Sequence, residues 1–353
     1  MKTLRLKVDA ENLGTPEARA ALERAAEILR GGGLVALPTE TVYGLGANAL
    51  DGAAVERIFA AKSRPAWDPV IVHVASAAML DGLVEEIPDA ARKLMEAFWP
   101  GPLTLLLRRS ISVPDAVTAG RPLVGVRMPA HPVALQLIRR AGVPVAAPSA
   151  NRFGHVSPTT AEHVLDDLDG RIDAVIDAGP TLRGVESTVL DPTKMMIYRP
   201  GAVTAEQIAE VAGAVEFFLD TERFRETPAA AMPSPGVGLK HYAPRARLVL
   251  VEARDQNRNG ELGARIVEAA NAERGERLGV MLPEGILATQ GFAAAQIYPW
   301  GRWGEPETLA QGLYAGLRAL DAAGASFIAV MPIPRDGLGE AINDRLARAT
   351  ADR

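Results

Sequence analysis

The chain of 353 residues contains no cysteine, which removes disulfides, thiolate nucleophiles and thiolate metal sites together. It also lacks any apolar run of membrane-spanning length, since stretches such as Leu103-Thr104-Leu105-Leu106-Leu107 are far too short. The opening residues Met1-Lys2-Thr3-Leu4-Arg5-Leu6-Lys7 hold no apolar segment of the secretory kind, so a cytoplasmic location without membrane contact is expected. There is no basic excess: the formal net charge is -5, and binding to nucleic acid would need a local patch. Finally, no G-x-x-x-x-G-K-[ST] phosphate loop occurs, and Gly44-Leu45-Gly46 lacks the third glycine of a dinucleotide fingerprint. Any chemistry is left to hydroxyls, imidazoles, cations and backbone.

What is present is a globular composition, 48% apolar and 23% charged, with 33 glycines and 26 prolines to make turns. The length favours two domains. Apolar spacing predicts helices over 16–30, 52–62, 88–98, 132–141, 160–168 and 204–213. Short apolar runs predict strands at 34–37, 70–73, 104–107, 123–126, 143–147, 174–177 and 188–190. Several neighbouring strands have no helix between them, which predicts a twisted mixed sheet with helices in an α/β domain over 1–216. Periodicity fails over 217–244, where Pro228, Pro233, Pro235, Gly236, Gly238 and Pro244 mark a linker. From 245 to 353, strands at 248–251, 278–281 and 327–330 alternate with helices near 260–272, at 306–321 and from 339, predicting a smaller Rossmann-like unit.

The short polar turns at strand and helix ends are where function is expected. Pro38-Thr39-Glu40-Thr41-Val42-Tyr43-Gly44-Leu45-Gly46 reads as a tight turn whose hydroxyls either cap it or face a small polar ligand. Lys62-Ser63-Arg64-Pro65 closes the helix over 52–62, since Pro65 forces Arg64 out of helical geometry, leaving two cations that either complement the helix dipole or hold a triphosphate. Arg127 closes a buried strand and needs a desolvated partner, either a substrate carboxylate or an internal Asp or Glu. His73 also ends an apolar strand, where histidine is commonly a core residue. Ser149 and Asn151 in Ala147-Pro148-Ser149-Ala150-Asn151 make a phosphate or ribose cradle plausible, while Thr159 to Glu162 has capping-box spacing.

Together these segments resemble the YrdC-like threonylcarbamoyl-AMP synthase family in its long, two-domain form. The matching stretches are Pro-Thr-Glu-Thr-Val-Tyr-Gly-Leu-Gly at 38–46, Lys-Ser-Arg-Pro at 62–65, Val-Arg-Met-Pro at 126–129, Ala-Pro-Ser-Ala-Asn at 147–151, Glu-Ser-Thr-Val at 186–189 and Arg-Pro-Gly at 199–201. Ser234-Pro235-Gly236 with Lys240-His241-Tyr242-Ala243-Pro244 looks like the long form's linker, and the stretch from Gly337 to Arg345 like its C-terminal signature. The resemblance implies synthesis of L-threonylcarbamoyl-AMP from L-threonine, bicarbonate and ATP, with pyrophosphate released and the product passed to machinery that modifies tRNA adenosine 37. It implies that Thr41, His73, Arg127, Ala147 and Ser187 hold threonine. It implies likewise that Lys62, Arg64, Ser149, Asn151, Ser157, Arg199 and Tyr242 contact ATP, with Asp68 and Leu123 as weaker members. Lys62, Arg64, Ser149 and Asn151 would form the catalytic core, with Mg²⁺ arriving on ATP.

One departure is Asp68, where the family usually has Asn before proline. A carboxylate beside a triphosphate repels it unless a cation intervenes. The linker residue Tyr242 is expected to act as part of a lid over 217–244 that shields the labile carbamate. The alternatives are an RNA-binding module of the same fold, disfavoured by the acidic balance, and a carbamoyl-transfer paralogue.

Overall fold

The protein is described by a computed structural model over residues 2–218, 234, 242–251, 277–285 and 295–350. It forms two compact units, one of residues 1–153 with 157–239 and the other of residues 154–156 with 240–353. Most of the expected linker and the helix expected near 260–272 lie outside the described residues.

The first unit runs β1 (Leu4–Lys7), α1 (Pro16–Arg30), β2 (Val35–Pro38), β3 (Tyr43–Asn48), α2 (Gly52–Lys62), β4 (Ile71–His73), a 3-10 turn at Ala77–Leu80, and α3 (Asp89–Phe98). It continues through β5 (Leu103–Arg108), α4 (Asp115–Thr118), β6 (Leu123–Arg127), α5 (Pro132–Ala141), β7 (Val145–Ala146), α6 (Ala161–Leu168) and β8 (Ala174–Asp177). The last elements are β9 (Thr188–Asp191), β10 (Met196–Arg199), α7 (Ala205–Ala212) and β11 (Glu216–Phe217). The strands make one mixed sheet in the order β1-β8-β2-β3-β7-β4-β6-β5-β9-β10-β11. Pairs β2/β3, β5/β6 and β9/β10 are antiparallel, whereas β4/β6 and β5/β9 are parallel. This is the mixed sheet that the missing interstrand helices predicted.

Side-chain alternation along the strands sends residues to two cores, one on each face. In β2, Val35 and Leu37 join a core under α1 and α5 with Leu22, Leu29 and Leu137, while Ala36, and Leu34 just before the strand, join the other with Val55 and Ile58 of α2. Helix α1 is started by Thr15, whose hydroxyl accepts the Ala18 N–H at 3.1 Å, and by Pro16 at its first position.

Strands β1, β3, β10 and β11 were not expected. Of the segment 38–46 expected to be a tight turn, residues 39–42 make the bend between β2 and β3, but Gly44 and Gly46 lie within strand β3, where they serve close packing: a Cβ on Gly46 would lie 2.9 Å from side chains of both Leu37 and Val145. The helix cap also falls one residue later than its spacing suggested. Thr160 accepts the His163 N–H at 3.2 Å, and the Thr159 hydroxyl instead pairs with the His163 ring at 3.2 Å.

The second unit contains a parallel sheet in the order β12 (Arg247–Leu250), β15 (Phe327–Val330), β13 (Leu278–Glu284) and β14 (Gln296–Arg302). Helix α8 (Pro306–Ala322) precedes β15, and α9 (Leu338–Thr350) follows it. Strand β14 was missed because Pro299 and Gly301 interrupt it.

Candidate active site

Helix α2 ends at Lys62, as expected, where Ser63 adopts the left-handed conformation, φ 54°. The two cations therefore diverge. Lys62 is buried and donates to the carbonyl oxygens of Ser149, at 2.6 Å, and of Asn151. Its ammonium is pushed well below the usual lysine range by burial and by the Arg64 charge. Arg64 turns toward the loop after it, donating to the Asp68 and Pro69 carbonyls at 3.2 and 2.8 Å and pairing with the Asp68 carboxylate at 2.9 Å. The unusual Asp68 is fully buried and has its counter-charge in Arg64.

The Ser149 loop is held from its other side by β3. Leu45 N–H donates to the Pro148 carbonyl at 2.7 Å and Ala150 N–H to the Tyr43 carbonyl at 2.8 Å. Ala147 follows β7, its N–H bonded to the Ile71 carbonyl of β4. The Lys62 stem thus ties the end of α2 to the backbone of the 149–151 turn.

The second group of side chains centres on Arg127, the last residue of β6. Its Nε donates to the Gly101 carbonyl at 3.1 Å and its Nη1 to the Thr41 hydroxyl at 3.1 Å. Its Nη2 stands 2.6 Å from Glu40 Oε1. The internal acid that sequence left open as a partner for Arg127 is therefore Glu40.

The Thr41 hydroxyl lies 2.8 Å from that of Thr39, which in turn donates to the Val42 carbonyl at 2.7 Å. One proton per hydroxyl fixes the direction of the chain, from Arg127 to Thr41 to Thr39 to the carbonyl. Thr41 is left with acceptor capacity only.

His73 is the register partner of Arg127 across β4 and β6. Burial, reinforced by the Arg127 charge, pushes its imidazole down to about 3, so it is neutral at physiological pH.

A third cluster joins Ser187 to Arg199. Arg199 donates to the Ser187 carbonyl at 2.9 Å and to its hydroxyl at 3.1 Å, and that hydroxyl lies 2.8 Å from the Thr104 hydroxyl. Ser157, fully buried, donates to Glu186 at 2.7 Å. Leu123 opens β6 opposite Arg108. In the second unit, Tyr242 is buried with φ 69°, its ring stacked 5.6 Å from that of Tyr314 and 5.2 Å under the Arg345 guanidinium.

Glu40, Thr104 and Glu186 were not among the residues expected at the site. Glu40 had a signal that could have found it: a carboxylate in a short turn beside a buried apolar strand must have a partner.

Residues 27–201 match the family described as Telomere recombination, and residues 203–351 match the family described as Threonylcarbamoyl-AMP synthase, C-terminal domain. The chain is 43% identical to the threonylcarbamoyl-AMP synthase of Bacillus subtilis, covering 100% of this chain and 99% of that protein. It is 37% identical to that of Schizosaccharomyces pombe over 95% of this chain and 89% of the other. Among solved structures, Pyrococcus abyssi Sua5 complexed with L-threonine is similar with a TM-score of 0.87 at 40% identity, covering 99% of this chain and 98% of that one.

Proposed function

We infer that this chain, which belongs to the two-domain YrdC-like threonylcarbamoyl-AMP synthase family, is an L-threonylcarbamoyladenylate synthase. It converts L-threonine, bicarbonate and ATP to L-threonylcarbamoyl-AMP and pyrophosphate, for threonylcarbamoyladenosine modification of tRNA. The observation that carries this is the full-length match to named synthases, 43% identical across 100% of the chain.

Around that activity the side chains divide into two groups. The triphosphate side is Lys62, Arg64, Ser149 and Asn151, supported by the Lys62 link between α2 and the 149–151 turn. A triphosphate adds negative charge beside Lys62, where desolvation and the Arg64 charge outweigh the attraction of Asp167 and Asp68. The threonine side is Thr41 in the turn between β2 and β3, His73 and Arg127 at the ends of β4 and β6, Ala147 just after β7 and Ser187 just before β9. Arg127 is the fit for the amino-acid carboxylate, since its planar fork can hold two oxygens at once. Ser157 and Arg199 are proposed ATP contacts, and the Arg199–Ser187 hydrogen bonds then couple the two sides.

The carbamate oxygen attacks the α-phosphorus as pyrophosphate leaves, so the protein's task is positioning and charge neutralisation. No group of three acidic or histidine side chains able to hold a metal occurs among the described residues, and Asp68 is paired with Arg64. Mg²⁺ therefore fits as a cation carried by the ATP phosphates and water, where it would neutralise phosphate charge. No helix among the described residues is long and apolar enough to cross a membrane, and a cytoplasmic site of action agrees with a tRNA-modification role.

The test is pyrophosphate release from ATP with threonine and bicarbonate supplied separately and together. Release that needs both supports the assignment. Release indifferent to threonine sinks it.

A further inference from the structure

Glu40 is 5% exposed, yet neither carboxylate oxygen makes a hydrogen bond in the structure. Its partner Arg127 is 3% exposed, and the facing Nη2 likewise makes none. At 2.6 Å the two form an ion pair without hydrogen-bond alignment. Buried charges left in this condition are costly, and a close pair inside a protein is stabilised only when the remaining donors and acceptors are also satisfied. An amino-acid zwitterion satisfies both at once: its carboxylate takes the guanidinium and its ammonium takes Glu40. Because the two charged groups of an amino acid share one carbon, their receptors must be neighbours, as Arg127 and Glu40 are.

The reaction adds a second demand. Threonine arrives with its amine protonated, and an ammonium has no lone pair with which to attack carbon. Something beside the amine must accept a proton. Among the groups proposed to hold threonine, His73 is a weak base held at about 3, Thr41 already donates its proton to Thr39, and Arg127 is a cation. His131, at the start of α5, feels the Glu40 charge, but its Nδ1 accepts the Val133 N–H at 3.2 Å and burial lowers its basicity. Glu40 is the carboxylate paired directly with the proposed threonine-carboxylate holder.

We propose that Glu40 binds the substrate's ammonium group and acts as the base that makes the amine nucleophilic. The ammonium transfers one proton to Glu40, and the amine lone pair attacks the bicarbonate carbon. The C–N bond forms, the C–OH bond breaks, and the departing hydroxide leaves as water with a second amine proton. The products are the carbamate anion, water and protonated Glu40, with charge conserved. The carbamate then attacks the α-phosphorus as described above.

The inference rests on the proposed activity, and the experiment separates the two. Pyrophosphate release is measured against threonine and ATP between about pH 6 and pH 9 for the wild type, Glu40→Gln and Glu40→Asp. Absence of threonine-dependent release in the wild type would remove the activity itself. With that release present, Glu40→Gln is expected to lower kcat roughly a hundredfold near neutrality while leaving the ATP KM within about twofold. Its residual rate should climb about tenfold per pH unit, because the free amine must now come from solution. Glu40→Asp should keep the wild-type pH dependence with a lower kcat. A Glu40→Gln enzyme with wild-type kcat, or with a reduced kcat but the wild-type pH profile, overturns the proposal, the second result marking Glu40 as a counter-ion only. Should Glu40→Gln fail to fold by circular dichroism, Glu40→Asp decides: a kcat equal to wild type overturns the proposal and a several-fold lower one supports it.

Discussion

The Lys62 ammonium lies 2.6 Å from the carbonyl oxygen of Ser149, two residues separated by 87 positions in sequence. A lysine buried against carbonyl dipoles keeps its donors occupied, but desolvation and the Arg64 charge outweigh the attraction of Asp167 and Asp68, which is why its proton is held weakly. Replacing Lys62 with Met, which keeps most of the stem's length, should weaken ATP binding by about ten- to a hundredfold, the value of a charge-assisted hydrogen bond of ~1.5–3 kcal/mol. Threonine binding should change far less. Arg127→Ala should show the reverse preference, and calorimetry giving equal losses of both ligands in either variant would dissolve the two-sided site.

The same depressed lysine predicts a proton linkage. When a triphosphate arrives, Lys62 gains an anionic partner and its pKa rises. At any pH between the free and bound values, the free enzyme carries less than a full proton there and the complex more, so binding takes protons up. ATP affinity should therefore fall as pH rises through that interval. Titration calorimetry in buffers of differing ionisation enthalpy measures the uptake, and it should vanish in Lys62→Met. Proton release on ATP binding would contradict the assignment.

His73 makes an opposite kind of contribution, to stability. Its ring is held at about 3 in the folded protein against a usual 6.5, so below pH 6.5 the unfolded chain binds a proton that the native state refuses. The contribution is complete above the unfolded value and is lost as pH falls toward the folded one, with a limiting slope of ~1.4 kcal/mol per pH unit. His73→Gln should lower stability near neutrality yet flatten its decline below pH 6.5. Denaturant midpoints across that range give the comparison, and parallel declines in both proteins would refute it.

The periodicity of α1, α2, α3 and α5 was plain in the sequence because each buries one helical face, and the mixed sheet followed from neighbouring strands with no helix between them. Strand β3 was not, since its two glycines imitate a turn and its reason for lacking side chains is close packing of Gly46 against Leu37 and Val145. The loop residues expected at the site were marked by charge or hydroxyl in otherwise apolar surroundings. What sequence could not supply was pairing: that Arg64 is matched by Asp68, Lys62 by carbonyls and Arg127 by Glu40 depends on chain turns whose direction local spacing does not encode.

Gly201 tests the third cluster. A Cβ at this position would run into the Ser187 carbonyl carbon and the Thr188 amide nitrogen, and backbone cannot give way as a flexible side chain can. Gly201→Ala should therefore displace the strand that presents Ser187 and its Arg199 contacts, lowering stability by at least ~1–3 kcal/mol and reducing activity beyond what the stability loss explains. A variant with native melting temperature and native rate would show that the cluster tolerates movement.

In the second unit, Asn343 accepts the Ile333 N–H at 3.0 Å and donates to the Ile333 carbonyl at 2.7 Å. The amide satisfies both backbone groups of a residue that is 3% exposed. No other side chain of this length offers a donor and an acceptor in that geometry. Asn343→Leu leaves both groups buried and unpaired, at a cost of about 1–3 kcal/mol each. Asn343→Asp keeps the acceptor but sets a carboxylate oxygen against the carbonyl, so it should be no milder than the leucine variant. Thermal unfolding should therefore show both substitutions lowering the transition of the unit that contains α9. A fully stable Asn343→Asp protein would mean that the Ile333 carbonyl finds another donor, and that the clamp is not what holds the start of α9 in place.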